Sequence, residues 1–589
     1  MPNKKSHKTL KIALIITLVL LGGITAWAAW VANHYKTLIK DNLPDWVANA
    51  TDDVYHVSLK DISINIITRR VTLSGIKLWP DTTRVNELKE LRKKPRITTL
   101  EFDIPKVEIN GIKWANIIAN NEVSCGQVVL WNAEGVITQI PVFLDSAQKK
   151  LADSLKQRKK KAGVIKQFSI DEIRLVQSDI KFKSKTKDND SFSFDMLNCN
   201  VLLNDWLLKA GEKNDTSRFL FAKKGRITLD SFIYKKERLF YNITTSKVNF
   251  ETDKNSLALN DLRISLAVTK DEFYKAIGHQ KEIYHLHFPS VIFVNMNWKA
   301  MINSNQLWAD SVLLGDPDIN VYLSRLLPPN KASKLGKYPH QLLQKLKLKT
   351  DIQCIKINNG KVAYEEVNDR THREGNVKFE TVNGNVYNVT NIDSLVAKNK
   401  ICTIALHGKL YGKSDITATF KLLLPDTNGH FSMDGNLKNL NAEQITNTTK
   451  ALALAEISSF HVNKIDMHVE GNQYEGSGHF TILYNNLKIV LQKVDSSGEK
   501  RELNDKPLVS FLANNLVIYS DNPMQGDSVR SVNTYLKRDP QKSFFSLIWK
   551  NIYQGLEKTV VKNKKIEELA KKKGKKEGFF KRLFGKKNK

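Results

Sequence analysis

Residues 416–424 read Ile-Thr-Ala-Thr-Phe-Lys-Leu-Leu-Leu. Apolar side chains occupy every second position of this stretch, at Ile416, Ala418, Phe420, Leu422 and Leu424. Successive side chains of a β-strand point to opposite faces of its sheet. The stretch therefore predicts a strand with one buried face and one solvated face.

The same alternation recurs along most of the chain, whereas helical patterns are few. Alternation is found at residues 57–64, 71–78, 170–182, 226–232, 247–250, 256–266, 352–364 and 376–387. Helical spacing is confined to a short stem that ends near Val47, a polar basic segment at 145–162, residues 341–346 and 441–456, and the C-terminal segment. We expect turns at Asn358-Asn359-Gly360 and Val382-Asn383-Gly384. The sequence predicts a mainly β protein.

A sheet with one apolar face must cover that face, and amphipathic helices are too few in this sequence to do so throughout. Two sheets could pack face to face, one sheet could close into a barrel, or a curled sheet could hold acyl chains in a channel. Composition does not distinguish these solutions. The third solution makes apolar strand residues the candidate groove lining: Ile416, Ala418, Phe420, Leu422, Leu487, Ile489, Leu491, Leu257 and Leu259.

Residues 12–32 form an uncharged run of the length that a transmembrane helix needs. The four lysines before it place residues 1–11 in the cytosol. The anchor prediction uses residues along the run and two interfacial tryptophans: Ile12, Leu18, Leu21, Trp27 and Trp30. A cleaved secretory signal is the alternative, because Ala26-Trp27-Ala28 resembles a cleavage site.

The formal net charge of +30 would in a soluble protein indicate nucleic acid first. The anchor argues against nucleic acid, because it places the basic mass across a membrane from the chromosome and ribosomes. Anionic lipid is then the better partner. The four cysteines are far apart, which favours buried thiols and leaves one disulfide open.

No nucleotide-binding glycine pattern, HExxH, GxSxG or CxxC motif is present in the sequence. We interpret the adjacent acids Glu365 and Glu366 as solvated residues beside a turn. The sequence therefore predicts no catalytic residues, no metal site and no cofactor, and a protein that is not an enzyme. A glycan hydrolase is an alternative function, and two carboxylates that face one cleft would favour it.

The C-terminal arm, residues 541–589, begins with an apolar stripe at helical spacing and continues as a basic tail. Residues 550–589 contain 15 Lys or Arg and 4 Glu. Aromatic and basic side chains of this kind are typical of interfacial membrane-binding segments. The candidate membrane-surface residues are Trp549, Phe579, Phe580, Lys581, Arg582 and Phe584. A solvated tail is the alternative.

Several stretches resemble the bacterial AsmA-like envelope proteins. They are residues 358–366, 375–379 and 388–391, and, for the carboxy-terminal strands of that family, residues 431–437, 476–480 and 484–491. Residues 543–549 resemble the segment that follows the last strand, and the anchor followed by residues 71–78 resembles the family's opening. The resemblance covers the two ends of the chain and the order of its parts.

The resemblance implies an N-terminal transmembrane helix, an elongated, curled antiparallel β-sheet groove with few helices, and a C-terminal amphipathic helix. It implies a single-pass protein of the bacterial inner membrane whose periplasmic groove carries phospholipid toward the outer membrane. The wider superfamily contains bridge-like lipid transfer proteins. The expected partners are phospholipid or another acyl-chain lipid, the membrane, and another envelope protein at the C-terminal end. An envelope scaffold that binds proteins through sheet edges is the alternative function.

The expected organisation has eight parts. A weak internal repeat near 184 residues, which aligns Trp114 with Trp298, makes the membrane-proximal and middle segments two copies of one β unit. The parts are a cytoplasmic tip (1–11), the anchor (12–32), a first β-groove unit (33–144), a basic helical insertion (145–164), a second β-groove unit (165–327), a linker with a short helix (328–350), a C-terminal β-groove domain (351–540) and the arm (541–589).

Overall fold

The structure is a computed structural model that describes residues 43–45, 47–48, 51, 53–65, 68–90, 96–113, 116, 120, 122–141, 167–185, 190–209, 215–236, 240–495, 502–505 and 518–562. The anchor at 12–32, the basic insertion at 145–164 and the tail beyond residue 562 lie outside the described residues. Among the helices of the described part, none is long and apolar enough to span a membrane.

The mainly β prediction is confirmed, since 61% of the described residues are in strands and 16% are in helices. In chain order, the elements are β1 (Tyr55–Asn65), β2 (Arg70–Pro80), α1 (Thr82–Glu90), β3 (Arg96–Asn110), β4 (Glu122–Trp131), β5 (Glu134–Pro141), β6 (Gln167–Lys185), β7 (Ser191–Lys209), β8 (Lys224–Leu229), β9 (Ser231–Lys236), β10 (Tyr241–Thr245), β11 (Lys247–Glu251), β12 (Ser256–Leu266), α2 (Lys270–Ile277), β13 (Ile283–Val294), α3 (Trp298–Ser304), β14 (Gln306–Gly315), β15 (Asp318–Ser324), α4 (Pro339–Gln344), β16 (Lys349–Val367), β17 (Glu374–Thr390), α5 (Asp393–Lys398), β18 (Ile401–Leu410), β19 (Ser414–Leu423), β20 (Phe431–Asn441), α6 (Ala442–Ala453), β21 (Ala455–Gly471), β22 (Glu475–Asp495), β23 (Glu502–Asp505), β24 (Ser531–Lys537) and α7 (Phe544–Val560).

The chain divides into two compact units. Unit 1 contains the chain up to Ala267 together with Val291–Trp308, and unit 2 contains Val268–Ser290 and the chain from Ala309 onward. The predicted strand pair at 57–64 and 71–78 is confirmed, since β1 and β2 pair antiparallel with Val57 opposite Leu78. The eight-part organisation drawn from the sequence stays a prediction.

The pairing is mixed rather than purely antiparallel as expected. In unit 1, β6 pairs parallel with both β4 and β5. In unit 2, β15 pairs parallel with β16. Parallel neighbours need a long crossover. Residues 142–166 connect β5 to β6, and residues 325–348 connect β15 to β16. Side-chain alternation carries no information on strand direction, so the expectation failed there.

Backbone irregularities follow a line across the sheet of unit 1, one between β4 and β5 and the others within β6, β7 and β12. Asn132, Gln177, Asn198 and Asp261 all have positive φ, near 50°. Polar groups join the line from strand to strand: Ala133 N–H donates to Ser178 Oγ (3.0 Å), and Asn198 N–H donates to Asp179 Oδ1 (2.8 Å). An irregularity of this kind bends its strand. We call this line the polar seam of unit 1.

Unit 2 has a polar seam of its own through β16 and β17. Asn359 N–H donates to Asn383 Oδ1 (2.8 Å), and Asn359 Nδ2 donates to Asp316 Oδ1 (2.6 Å). Asn359 and Thr381 have positive φ. The turns expected at 358–360 and 382–384 were therefore wrong, because both tripeptides lie inside long strands. The conformational freedom of the Asn and Gly residues in these tripeptides allows a bulge within the strand instead of a chain reversal.

We expect the Gly384→Ala substitution to lower the free energy of unfolding by roughly 2–4 kcal/mol. Gly384 has φ of 150°, and a Cβ there would overlap the carbonyl oxygen of Ala405 on β18. Denaturant unfolding of the full-length protein measures the loss. Gly278→Ala is the matched control, because Gly278 also has positive φ but no described atom lies within 4 Å of its added Cβ. A loss at Gly384 no larger than at Gly278 would contradict the close packing at the seam.

Candidate functional site

The groove candidates of unit 2 divide between buried and half-buried positions. Leu422, Leu487 and Ile489 are buried, and Ile416 and Phe420 are partly buried against the same apolar cluster. Ala418 is half-buried on the same strand. The backbone of Leu491 continues β22, and its side chain is outside the described part of the structure. These side chains do face one common side of the sheet, as the alternation predicts.

Helix α7 covers this side of unit 2. The ring of Phe544 lies 4.7 Å from Phe431 and 4.8 Å from Tyr338, and 6.4 Å from Phe420. A Cβ added to Gly555 would lie 2.6 Å from the ring of Phe480, so the helix sits directly on β22. The predicted C-terminal amphipathic helix is thus present, with Phe544, Leu547 and Ile548 buried against the sheet of its own unit.

Helix α6 adds a second cover. It matches the helix predicted at 441–456. Hydrogen bonds fix it to β17 and to the turn before that strand, since Thr448 Oγ1 donates to Asn376 O (2.6 Å) and Thr371 Oγ1 donates to Ala451 O (2.7 Å). Gly375 leaves room for the side chain of Leu452. The expectation that helices are too few to cover the sheet therefore does not hold for this part of unit 2.

Unit 1 presents a different surface, formed by aromatic rings of β6, β7 and β9. Ring centroids are 4.6 Å apart for Phe182 and Phe194, 5.7 Å for Phe194 and Phe232, and 6.1 Å for Phe192 and Tyr234. All five rings are half-buried, so each keeps part of its surface in solvent. We call these five residues the aromatic patch.

The patch lies on the same face as the core of unit 1. Cross-strand partners share a face, and Phe182 stands opposite Phe194, which stands opposite Tyr234. Phe182 packs at the edge of the buried core. Beyond Tyr234 the face continues with Ile243 on β10 and Ile264 on β12, both half-buried.

Two groove candidates predicted from the sequence belong to this region. Leu257 pairs with Phe250 and packs at the edge of the unit 1 core, and Leu259 pairs with Val248. Both leucines are half-buried. They lie on the other side of the seam residue Asp261 from Ile264. Strand β12 therefore carries apolar side chains on both sides of its bend.

The opposite face of the same strands is polar. Lys181, Lys183 and Lys185 alternate with Ile180, Phe182 and Ser184 along β6, and the three lysines are exposed. A cleft of about 690 Å³ lies at β2, β3, β5, β6 and β7, and it is lined by charged and apolar residues in equal number. Its acids are partly neutralised by ion pairs such as Lys77–Asp103 (2.8 Å) and Lys181–Asp195 (3.4 Å). This face has the chemistry of a solvated strand surface.

Of the two adjacent acids interpreted as solvated, Glu365 is half-buried and Glu366 is buried. Glu366 is only 8% exposed and forms an ion pair with Arg325, and Tyr364 donates to its other oxygen (2.7 Å). Burial, then the Glu366 carboxylate, raises the pKa of the Tyr364 hydroxyl, which keeps it a donor. The network ties the end of β15 to β16, which gives Glu366 a structural role.

No three His, Cys, Asp or Glu side chains converge on a possible metal position within the described residues. All four cysteines lie in that part of the chain and are free thiols. Burial raises the pKa of Cys125 to about 12 and of Cys402 to about 11, which keeps both thiols protonated. Such thiols are poor nucleophiles.

Of the membrane candidates, only Trp549 lies in the described part of the structure. Trp549 is 59% exposed on α7, and its neighbour on the same helix face, Phe545, is 64% exposed. The anchor residues and the remaining surface candidates, from Phe579 to Phe584, lie outside the described residues.

The aromatic patch was not among the predicted site residues. Its signal in the sequence was the run Ser191-Phe192-Ser193-Phe194, which alternates like the other strands. Alternation predicts a strand but not its neighbours, and the patch exists only because three strands align their rings.

No protein-family model matches this chain, and a search of curated proteins finds no match. The resemblance to AsmA-like proteins stays a prediction from the residues that carry it.

We expect Phe194→Lys to lower the free energy of unfolding by only about 1 kcal/mol, because a lysine on an open face can reach water. The matched substitution is Phe480→Lys, at a residue with no exposed surface beneath α7. It should cost more than about 4 kcal/mol, since it buries an unpaired charge. Urea unfolding midpoints of both variants measure the difference. Equal losses would mean that the aromatic patch is as closed as the core of unit 2.

Proposed function

We propose that this protein carries lipid acyl chains on the apolar face of unit 1, around the aromatic patch. The observation that carries the proposal is the partial exposure of five clustered rings on the face that elsewhere forms a buried core. Monomeric proteins rarely leave contiguous apolar surface in water unless a ligand, a partner or a membrane covers it.

Acyl chains fit the chemistry of this face. Burial of apolar surface is worth about 25 cal/mol per Å², or about 0.8 kcal/mol for each methylene group. The patch and its continuation through Ile243 and Ile264 offer rings and branched side chains, which bind a flexible hydrocarbon by shape and dispersion. Polar headgroups would stay in water at the rim of the sheet.

The polar seam supports this arrangement. Each irregularity bends its strand, so a line of irregularities turns separate bends into a fold line across several strands of unit 1. The candidate leucines Leu257 and Leu259 and the residue Ile264 lie on opposite sides of that line. A sheet folded in this way would surround a chain on two sides, as a groove does.

The proposed cellular location rests on the sequence. We propose a single-pass protein of the bacterial inner membrane, related to the AsmA-like proteins, with residues 12–32 as its anchor and the bulk of the chain in the periplasm. Phospholipid carried toward the outer membrane is the proposed cargo. The basic tail after α7 would bind an anionic membrane surface. In this role the protein needs no cofactor, no nucleic acid and no catalytic residue, since a hydrocarbon chain binds and leaves by diffusion.

A second candidate function, an envelope scaffold, is favoured by one observation. Helices α6 and α7 pack on the apolar face of unit 2, where the groove candidates Leu422, Leu487 and Ile489 are buried. A closed unit of this kind would act through its sheet edges or surface instead of an internal channel.

We expect the double substitution Phe194→Lys and Phe232→Lys to lower the phospholipid that co-purifies with the protein by at least about fivefold. Two charged groups on the patch would have to be desolvated against acyl chains. Quantitative mass spectrometry of extracted lipid, per mole of protein, is the measurement.

The matched control is Ser193→Lys with Thr244→Lys, which places the same charges on the opposite face of the neighbouring strands. This variant should retain its lipid. Wild-type protein without bound lipid, or equal lipid in the two variants, would contradict acyl-chain carriage and leave the scaffold as the better function.

A further inference from the structure

The segment between β15 and β16 carries basic charge without compensating acids. Residues 319–350 contain no Asp or Glu, and they contain Arg325 and six lysines. Arg325 and Lys334 are used internally, in ion pairs with Glu366 and Glu282. The Nζ atom of Lys349 lies 3.9 Å from Asp393 Oδ1, close to the upper limit for an ion pair.

Four lysines of this segment remain exposed and unpaired: Lys331, Lys337, Lys345 and Lys347. Among the described residues, no carboxylate lies within ion-pair distance of their ammonium groups. Lys337 and Lys345 donate only to backbone carbonyls, of Ser333 and Gly336. Their charge therefore faces solvent.

Leucine side chains project between these lysines. Leu342 is 47% exposed and Leu346 is 50% exposed, and they stand four residues apart on the outer side of α4 and its last turn. Leu326 and Leu335 are exposed along the same segment. We call the four leucines and the four unpaired lysines the linker face.

The linker face is rigidly held. On the inner side of α4, Gln341 Nε2 donates to Thr427 O (2.7 Å) and Gln344 Nε2 donates to Thr390 O (2.9 Å). His340 is buried beside them, and burial lowers its pKa to about 4, so it stays neutral. The outward leucines are therefore fixed in place by polar contacts at the end of β17 and in the turn between β19 and β20.

The same segment contacts the start of α7. Lys334 N–H donates to Pro540 O (2.7 Å), and the ring of Tyr338 lies 4.8 Å from that of Phe544. Phe545, the next residue, and Trp549 point away from the core and are the most exposed aromatic side chains of the helix. Unpaired lysines, protruding leucines and exposed aromatic rings thus belong to one end of unit 2.

We propose that the linker face, together with Phe545 and Trp549, docks unit 2 on an anionic lipid bilayer. Single apolar side chains that protrude between lysines match the interfacial zone of a membrane, where the chains enter the acyl boundary and the ammonium groups meet phosphates. Each basic residue near such a surface contributes about 1 kcal/mol, and the contribution falls off within a Debye length. The proposal stands on different residues from the aromatic patch and from the basic tail.

The test uses full-length protein with an environment-sensitive fluorophore on a cysteine placed at Leu342. Cys354 is first changed to Ala, since the other three native thiols are buried. We expect a blue shift of emission with phosphatidylglycerol vesicles and none with phosphatidylcholine vesicles. About 1 M salt, where the Debye length is about 3 Å, should reverse the shift.

Two variants make the result specific. Reversal of the four unpaired lysines to glutamate should raise the lipid concentration for half-maximal shift by at least about tenfold. A fluorophore at Thr417, an exposed position on β19, should not respond. The lysine variant should keep its co-purified phospholipid, which separates docking from acyl-chain carriage.

Several outcomes would overturn docking. They are no shift at position 342 with phosphatidylglycerol, an equal shift with phosphatidylcholine, an equal shift at position 417, or a lysine variant that binds like the wild type. The first outcome would leave an acidic protein surface as the better occupant of the linker face.

Discussion

An amphipathic sheet must cover its apolar face, and this constraint governs the structure. In unit 2 the chain meets it with its own helices: α7 places Phe544 against Phe431 and Tyr338, and α6 is bonded to β17. In unit 1 the same face passes from a buried core to the half-exposed aromatic patch. The energy that would be gained by covering that patch, about 25 cal/mol per Å², is available to a ligand. We expect ligand binding where the protein's own side chains leave part of the apolar face uncovered.

The polar seams belong to the same problem. A flat sheet offers an apolar ligand one wall, whereas a bent sheet offers two. The bends require residues that accept positive φ and side chains that satisfy the interrupted ladder. Asn132, Asn198, Asp261 and Asn359 adopt positive φ, which short polar residues tolerate. The interrupted backbone N–H groups donate instead to the side chains of Ser178, Asp179 and Asn383. The polar residues inside these strands thus have a structural role in the bends.

Much of the local structure could be predicted from the sequence, because it depends on neighbours along the chain. The β1–β2 pair, the helix at 442–453 and the helix after Ser543 all follow from periodicity. The seam tripeptides could not be assigned, because Asn-Gly serves hairpin turns and bulges equally well. Phe544 and Phe545 show a second limit, since adjacent residues of one stripe have opposite fates, one in the core and one in water. The aromatic patch is a third, because it depends on which strands become neighbours.

The most direct measurement replaces Phe194 with a photo-crosslinking phenylalanine derivative in the full-length protein and identifies adducts by mass spectrometry after irradiation in cells. Acyl-chain carriage predicts lipid adducts at position 194 and none at position 480, which lies beneath α7, or at position 193, on the opposite face. Absence of lipid adducts at 194, or equal adducts at 193, would contradict the central claim that hydrocarbon completes the open face of unit 1.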